Sequence, residues 1–397
     1  MKGVAVTGMG IISSIGNTVE ENFQSLISKK HGIATIQKIA TIHRNVIKVG
    51  EIGFTNEELI NQLKLPESNN HSRTALLTEI AAQEALKNAN ITDVNEYKTG
   101  FISATSVGGM DVTEKYYYSQ FEEIKNRKYI ECHDPGSATK AIAKRLGIKD
   151  FVTTISTACS SSANAIMFGA RLIKAGKLDR VIVGGADCLS KFTINGFKTL
   201  MILSETNCTP FDENRTGLNL GEAAAFIVLE SDEVIKTKNK KVLAYVSGYA
   251  NANDAFHQTA SSENGEGATL AMKKALKVAR LKPSEIDYIN AHGTATPNND
   301  QSESRAILNV FKSGTPDFSS TKAYTGHTLA AAAAIEAVYS ILAIQNNTLF
   351  PNLNFKNPIS STNLKPITEV RQKKIQHVLS NSFGFGGNCS TLIFSKK

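Results

Sequence analysis

Strand-like apolar runs and helix-like periods succeed one another along the whole chain. Val4–Thr7 reads as a strand and Gly8-Met9-Gly10 as a turn after it. Thr18-Val19-Glu20-Glu21 has the order of a capping box and opens a helix to about Ile27. Residues 29–70 keep no period and read as irregular. Thr74–Lys87 is rich in alanine and leucine and predicts a helix, and Gly100–Ala104 a strand. Val112–Lys128 reads as a polar helix carrying Tyr116, Tyr117 and Tyr118, and Ser137–Leu146 as a short helix. The β-branched run Val152–Ile155 predicts a buried strand. Ala163, Ile166, Met167, Ala170 and Ile173 then follow at helical spacing, with Gly176 as a stop.

Val181–Ala186, Ala223–Leu229 and Val242–Gly248 predict further strands, the last two separated by a lysine-rich turn, Lys236–Lys241. Beyond it the alternation repeats. Helical patterns cover Ala268–Arg280, Asp300–Phe311 and Thr328–Gln345; strand patterns cover Ile286–Asn290, Val378–Asn381 and Thr391–Phe394. Strands alternating with helices on both sides predict an α/β protein built in layers. The charged turn divides a 1–238 half from a 239–397 half.

Composition narrows the class. An apolar content of 41% with 28 glycines suits a globular protein with many tight turns. No apolar run reads as long enough to span a membrane, and the start reads as a strand and not a signal peptide. The five cysteines, Cys132, Cys159, Cys188, Cys208 and Cys389, are odd in number and share no C-x-x-C spacing. That pattern predicts neither a disulfide framework nor a zinc site, and fits a reducing cytoplasm. The formal net charge of +8 permits an acidic partner, although a lysine-rich solvated surface accounts for it more simply. Gly8-Met9-Gly10 lacks the third glycine of a dinucleotide loop, Ser13 standing in its place.

Cys159 sits in a turn of small residues between a strand and a helix, where Ser160–Ser162 are placed to cap the helix. Free N–H groups and the helix dipole favour a thiolate there. The same placement equally suits a small core cysteine. Three other stretches combine chemistry with small residues: Asn290–Pro297, containing His292; Lys322-Ala323-Tyr324-Thr325-Gly326-His327; and Asn381-Ser382-Phe383-Gly384-Phe385-Gly386-Gly387. Each taken singly has a structural explanation, as do His31, His43, His71, His133, His257 and His377. Together, one cysteine and two histidines at element junctions suit acyl chemistry. A thiolate attacks a carbonyl carbon, and imidazoles move a proton or donate to an oxyanion, with no metal required.

The ordered motifs T-A-C-S-S, H-G-T-A-T-P, K-x-x-T-G-H and N-S-F-G-F-G-G resemble those of the β-ketoacyl-acyl-carrier-protein synthases, and the resemblance runs from Val4 to the last strand. It is closest to the elongating type II kind, because the third catalytic position is His327 where initiating synthases carry asparagine. The resemblance implies the thiolase fold: two similar halves stacked as five layers, α-β-α-β-α, usually as a homodimer. It implies that Cys159 carries the acyl chain and that the N–H groups of Cys159 and Phe385 form the oxyanion hole. His292 and His327 would stabilise the enolate left by malonyl decarboxylation, and Lys322 would set their protonation. Phe385 resembles the gate of the acyl pocket; Thr294, Thr296, Phe383 and Val107 match substrate-contacting positions; Asp300, Glu303 and Glu336 match bracing acids.

The family needs no cofactor of its own, since phosphopantetheine arrives on the carrier protein. Some members hold K⁺ or Na⁺ at positions matching Asn290, Glu303, Glu336, Ser380 and Asn381. The implied partners are acyl- and malonyl-loaded acyl carrier protein and a second subunit, identical or ketosynthase-like, with no nucleic acid and no membrane span. Arg73, Arg127 and Lys128 are the nominated basic contacts for an acidic carrier. The chain departs from the family at Ala323, Ala330 and Ala333, at Gly221–Ala225, at Arg215–Leu218 and at Asn388-Cys389. These changes leave the catalytic groups intact and point to a specialised chain length or pathway, such as a polyene or polyketide. A chain-length-factor-like subunit would lack the nucleophile. A thiolase would use a second cysteine near its C-terminus, where this chain has Cys389 beyond the Gly-Phe-Gly-Gly run.

Overall fold

The structure is a computed structural model that describes residues 3–66 and 68–396. Ten strands carry the architecture: β1 (Val4–Ser13), β2 (Thr99–Ala104), β3 (Phe151–Ile155), β4 (Arg180–Asp187), β5 (Ala223–Glu230), β6 (Ala244–Asn253), β7 (Tyr288–Asn290), β8 (Asp317–Ser319), β9 (His377–Gly384) and β10 (Asn388–Ser395). Their spatial order is β3-β2-β4-β5-β1 followed by β6-β10-β9-β7-β8. Each group of five has the order 3-2-4-5-1 in its own numbering. In each, the first three are parallel, the fourth runs antiparallel to both its neighbours, and the fifth therefore points the same way as the first three. The halves are therefore two copies of one topology. They meet where Val4–Val6 pairs antiparallel with Ala244–Val246.

Six helices complete the layers: α1 (Arg73–Asn88), α2 (Pro135–Leu146), α3 (Ser161–Lys174), α4 (Glu266–Ala279), α5 (Pro297–Phe311) and α6 (Ala332–Asn346). Period-two alternation sorts the strand side chains between cores. On β5, Ala224, Phe226 and Val228 join α1 and α2, whereas Ala225, Ile227 and Leu229 face α3 and α6. In the second half, Ile289, Leu379 and Ile393 face α4 and α5 on the far side. The result is five layers, α-β-α-β-α, with α3 and α6 in the middle. Leu329–Asn346 is apolar and long enough to cross a bilayer by composition, contrary to the sequence reading, yet it lies buried between the two sheets.

Several local expectations change. Gly8-Met9-Gly10 is not a turn: β1 runs straight through it. The glycines are there because α1 packs against the strand; a Cβ on Gly8 or Gly10 would sit 2.4 Å from the Ala85 carbonyl oxygen or 2.2 Å from that of Ala81. Thr18 caps Val19–Ile27 by accepting from the Glu21 N–H, but Glu21 reaches back to the Asn17 N–H, so the capping box is only half made. Residues 29–70 contain a short antiparallel pair, Ile33–Thr35 with Lys48–Gly50, and a helix, Asn56–Gln62, with a complete capping box from Thr55. The expected helix over 112–128 is broken into Met110–Tyr116 and short turns. β3 is a half-buried edge strand and not a buried one. The lysine-rich turn is the end of a helix, Asp232–Lys238, closed by left-handed Asn239.

Candidate active site

Cys159 projects from the β3–α3 connection. Ala158, just before it, is held at φ 52°, an uncommon conformation for a residue with a Cβ. The serines lock this turn and do not cap α3. The Ser160 hydroxyl lies 2.8 Å from the Thr157 carbonyl and 2.7 Å from Asn388 Oδ1, the two acceptors for its one proton, and the Ser161 hydroxyl accepts from the Thr157 N–H at 2.8 Å. Cys159 lines a cavity of about 380 Å³ together with His292, His327, Phe383 and Phe385. Burial pushes its thiol up to about 12; Lys322 and the N–H groups of Cys159 and Phe385 act the other way but do not win. The thiol is thus the resting form, against the thiolate expected from the helix terminus.

His292 follows β7. Its N–H and that of Gly293 donate to the two oxygens of Glu303, at 3.0 and 2.8 Å. Lys322 Nζ lies 3.3 Å from His292 Nδ1 and donates to the His292 carbonyl and to Glu336 Oε1, both at 2.5 Å. The Leu329 N–H donates to His327 Nδ1 at 3.1 Å. An ammonium against one Nδ1 and an N–H against the other assign the proton to Nε2 on both rings. The rings are 5.4 Å apart at 87°. Burial, then Lys322, lowers both imidazoles well below the ordinary value, and His327 adds to this for His292. Both are neutral donors at physiological pH.

The supporting acids are in place. Asp300 accepts from the N–H groups of Phe211 (2.7 Å) and Ala295 (3.1 Å). Burial raises Glu303 and Glu336 to about 7. Asn381 Nδ2 donates to Glu303 at 3.0 Å. Thr294 and Thr296 line the cavity with their hydroxyls 2.9 Å apart. The Phe383 ring packs edge-on to His292, and the Phe385 ring stacks on Phe197.

Three expectations change. Val107 does not line the cavity; it packs beside Leu189, Ile194 and Leu218. Arg73 is buried, its guanidinium paired with Glu222 at 2.7 Å, so it cannot meet a carrier protein. Lys128 is half-buried and donates to the Ser68 carbonyl, which leaves Arg127 as the exposed member of the trio. Cys389 lines the same cavity as Cys159, with burial pushing its thiol up to about 12. Sequence reasoning missed Phe197 and Leu200–Ile202 in the cavity wall. It also missed the 254–261 segment, where Gln258 O accepts from the Gly386 N–H and the Asp254 N–H reaches Gly387 O, both at 2.7 Å. Those residues carry no motif; only their contacts with the Gly-Phe loop reveal them.

A Cys-His-His site at the junction of two 3-2-4-5-1 halves defines a class of condensing enzymes, and comparison with known proteins identifies the group. The model described as Beta-ketoacyl synthase, N-terminal domain, matches residues 1–234, and that of the C-terminal domain matches 243–356. The chain belongs to the β-ketoacyl synthase family, and its fold is the thiolase fold. It is 33% identical to a 3-oxoacyl-[acyl-carrier-protein] synthase 2 of Staphylococcus aureus (strain COL), over 100% of this chain and 98% of the relative. Among solved structures it is similar to the ishigamide ketosynthase/chain length factor, with TM-score 0.93, 28% identity, and 100% and 99% of the two chains covered. It is also similar to a type II polyketide ketosynthase in complex with its acyl-carrier protein, with TM-score 0.86, 26% identity and full coverage of both chains.

Proposed function

We propose that the protein is a 3-oxoacyl-[acyl-carrier-protein] synthase that joins an acyl group held on Cys159 to a malonyl unit with loss of carbon dioxide. Cys159 Sγ attacks the carbonyl carbon of an acyl-carrier thioester. The N–H groups of Cys159 and Phe385, which favour negative charge on the sulfur, receive the oxyanion. The bond to the pantetheine sulfur breaks, and that sulfur leaves with the thiol proton. Malonyl-carrier then binds and its carboxylate departs as carbon dioxide. The electron pair moves into the thioester, whose oxygen accepts from the two Nε2–H groups. The enolate carbon attacks the acyl-Cys159 carbonyl; the new C–C bond forms, the C–S bond to Cys159 breaks, and the sulfur takes a proton from solvent.

The observation that carries this reading is the pair of neutral imidazoles, each fixed at Nδ1, sharing one cavity with the thiol. Such donors are complementary to charge that exists only in the transition state. The test is intact mass after incubation with a panel of acyl-carrier thioesters, with carbon dioxide release measured on adding malonyl-carrier. An adduct on Cys159 and malonyl-dependent release are expected; the absence of both sinks the reading.

The partners are an acyl carrier protein, met in part by Arg127, and a second subunit that is a copy of this chain or a ketosynthase-like protein. The likeness to ketosynthases of specialised pathways favours a second reading, in which the condensation builds a polyene or polyketide. The five free cysteines suit a reducing cytoplasm. A structural K⁺ or Na⁺ fits the residues present. Asn290 and Ser380 face each other across the β7–β9 pairing, and their buried Asn290 Oδ1 and Ser380 Oγ have no hydrogen-bond partner among the described residues. Glu303, Glu336 and Asn381 complete the oxygen set, and the ion would supply charge balance beside the catalytic lysine.

A further inference from the structure

We propose that Asp187 is a positioning residue which fixes the orientation and tautomer of His327 and braces the turn that holds Cys159. This deepens the condensing-enzyme reading and rests on it. Asp187 is the last residue of β4 and is fully buried. Its Oδ1 accepts from the Thr105 hydroxyl at 2.5 Å and from the N–H groups of Ser106 and Val107 at 3.1 and 3.3 Å. Its Oδ2 accepts from the Ala330 N–H at 2.8 Å and shares the Ser106 N–H at 3.1 Å.

The donors come from two separate places, and each lies one contact from a reacting group. Leu329 precedes Ala330 and is held at φ 53°, and its N–H is the donor to His327 Nδ1. A left-handed leucine persists only where its surroundings over-determine it, and the bond from Ala330 to Asp187 pins the adjoining peptide. On the other side, the Ser106 hydroxyl donates to the Ala158 carbonyl at 3.3 Å, and left-handed Ala158 directly precedes Cys159. One carboxylate therefore ties a loop of the first half to the histidine segment of the second. It is also close enough for its charge to raise the Cys159 thiol.

Asp187→Asn separates these roles. With its oxygen in the Oδ1 place, the amide keeps the loop donors but turns an NH₂ toward the Ala330 N–H, so the His327 segment loses its anchor. Malonyl-carrier decarboxylation, measured in a Cys159→Gln background, should fall about 10- to 100-fold, the range that loss of a group orienting a histidine brings. The KM for malonyl-carrier should stay within about twofold. The ¹⁵N spectrum of labelled histidine should show the His327 Nδ1 acceptor signal weakened. Alkylation of Cys159 by iodoacetamide in the Asp187→Asn single variant should move its pH midpoint downward, because a negative charge has gone. Thr105→Val keeps charge and shape and is the second arm; it removes the bond to Asp187 and the acceptor of the Gly108 N–H at 3.0 Å, and a fall in decarboxylation of about three- to tenfold is expected, smaller than for Asp187→Asn because the carboxylate and its bond from Ala330 remain.

Equal loss of decarboxylation and alkylation, or an unchanged His327 signal, overturns the proposal. So does a wild-type decarboxylation rate in Asp187→Asn, or in Thr105→Val if Asp187→Asn does not fold. If Cys159→Gln alone fails to decarboxylate malonyl-carrier, the condensing reading itself fails, and the histidine spectrum still reports on the anchor.

Discussion

The two halves share one topology but end their matching strands in different chemistry. In the first half, β3 runs into the Cys159 turn and then α3. In the second half the matching strand, β8, runs into Lys322 and His327 and then α6. The second strands differ likewise: β2 leads into Thr105 and the loop held by Asp187, and β7 leads into His292. In the proposed reaction one half presents the nucleophile and the other presents the donors. A duplicated scaffold thus supplies two faces of a single cavity, and each face is free to specialise because the layers beneath it do not change.

If that division holds, the two faces can be disabled separately. Cys159→Ala should abolish condensation, a loss of about 1,000-fold or more, while Cys159→Gln keeps malonyl decarboxylation; both are read by product formation and carbon dioxide release. His292→Ala and His327→Ala should each cut decarboxylation by about 100- to 1,000-fold yet leave acylation of Cys159, seen by intact mass, within about tenfold. Equal damage to both steps would break the division.

Lys322→Met probes the charge that links the donors to each other. Lys322 lowers both histidines, so its removal raises them toward 6.5. Burial still holds both below that value, so each ring protonates on the acid side of it, at a higher pH than in the wild type. An acid limb should appear there in the decarboxylation profile of the variant and lie at lower pH in the wild type. For the scaffold, β1 and β6 are matching strands that approach α1 and α4. Gly10→Ala would place a Cβ 2.2 Å from a helix carbonyl oxygen, and Gly248→Ala one 2.6 Å from its counterpart, Ala275 O. Thermal melts should rank Gly10→Ala as the more damaging, at about 3 kcal/mol against about 1–2. Cys389→Ser should change turnover least, within about twofold, since the site has its nucleophile and donors elsewhere. Loss of all activity would show that the second thiol in the cavity takes part in the reaction.

Much of the catalytic face was legible because its residues sit in short motifs at element junctions. Cys159, His292, Lys322, His327, Phe383 and Phe385 all converge on one region. What sequence alone could not supply is contact across the chain. Gly8 and Gly10 look like a turn until α1 is seen packed on them. Arg73 looks like a surface cation until Glu222, far along the chain, is found beside it. The broken helix over 112–128 failed for the same reason, since local pattern does not say which neighbour an element meets. Thiolate character at Cys159 was inferred from a helix terminus; burial of the sulfur outweighs that field. Asp187 carried one faint signal, an acid closing a buried strand after two glycines.

The central position of α6 has a consequence for synthesis of the chain. Every residue from Ala332 to Ile344 is buried, on all sides of the helix. While a ribosome is still extending the polypeptide, the first sheet and α3 are complete, but their inner apolar face has nothing to lie against. The nascent protein must carry that sticky surface until the last strands emerge. Neither half expressed alone should remain dispersed, and a chaperone has its longest task in the interval between them.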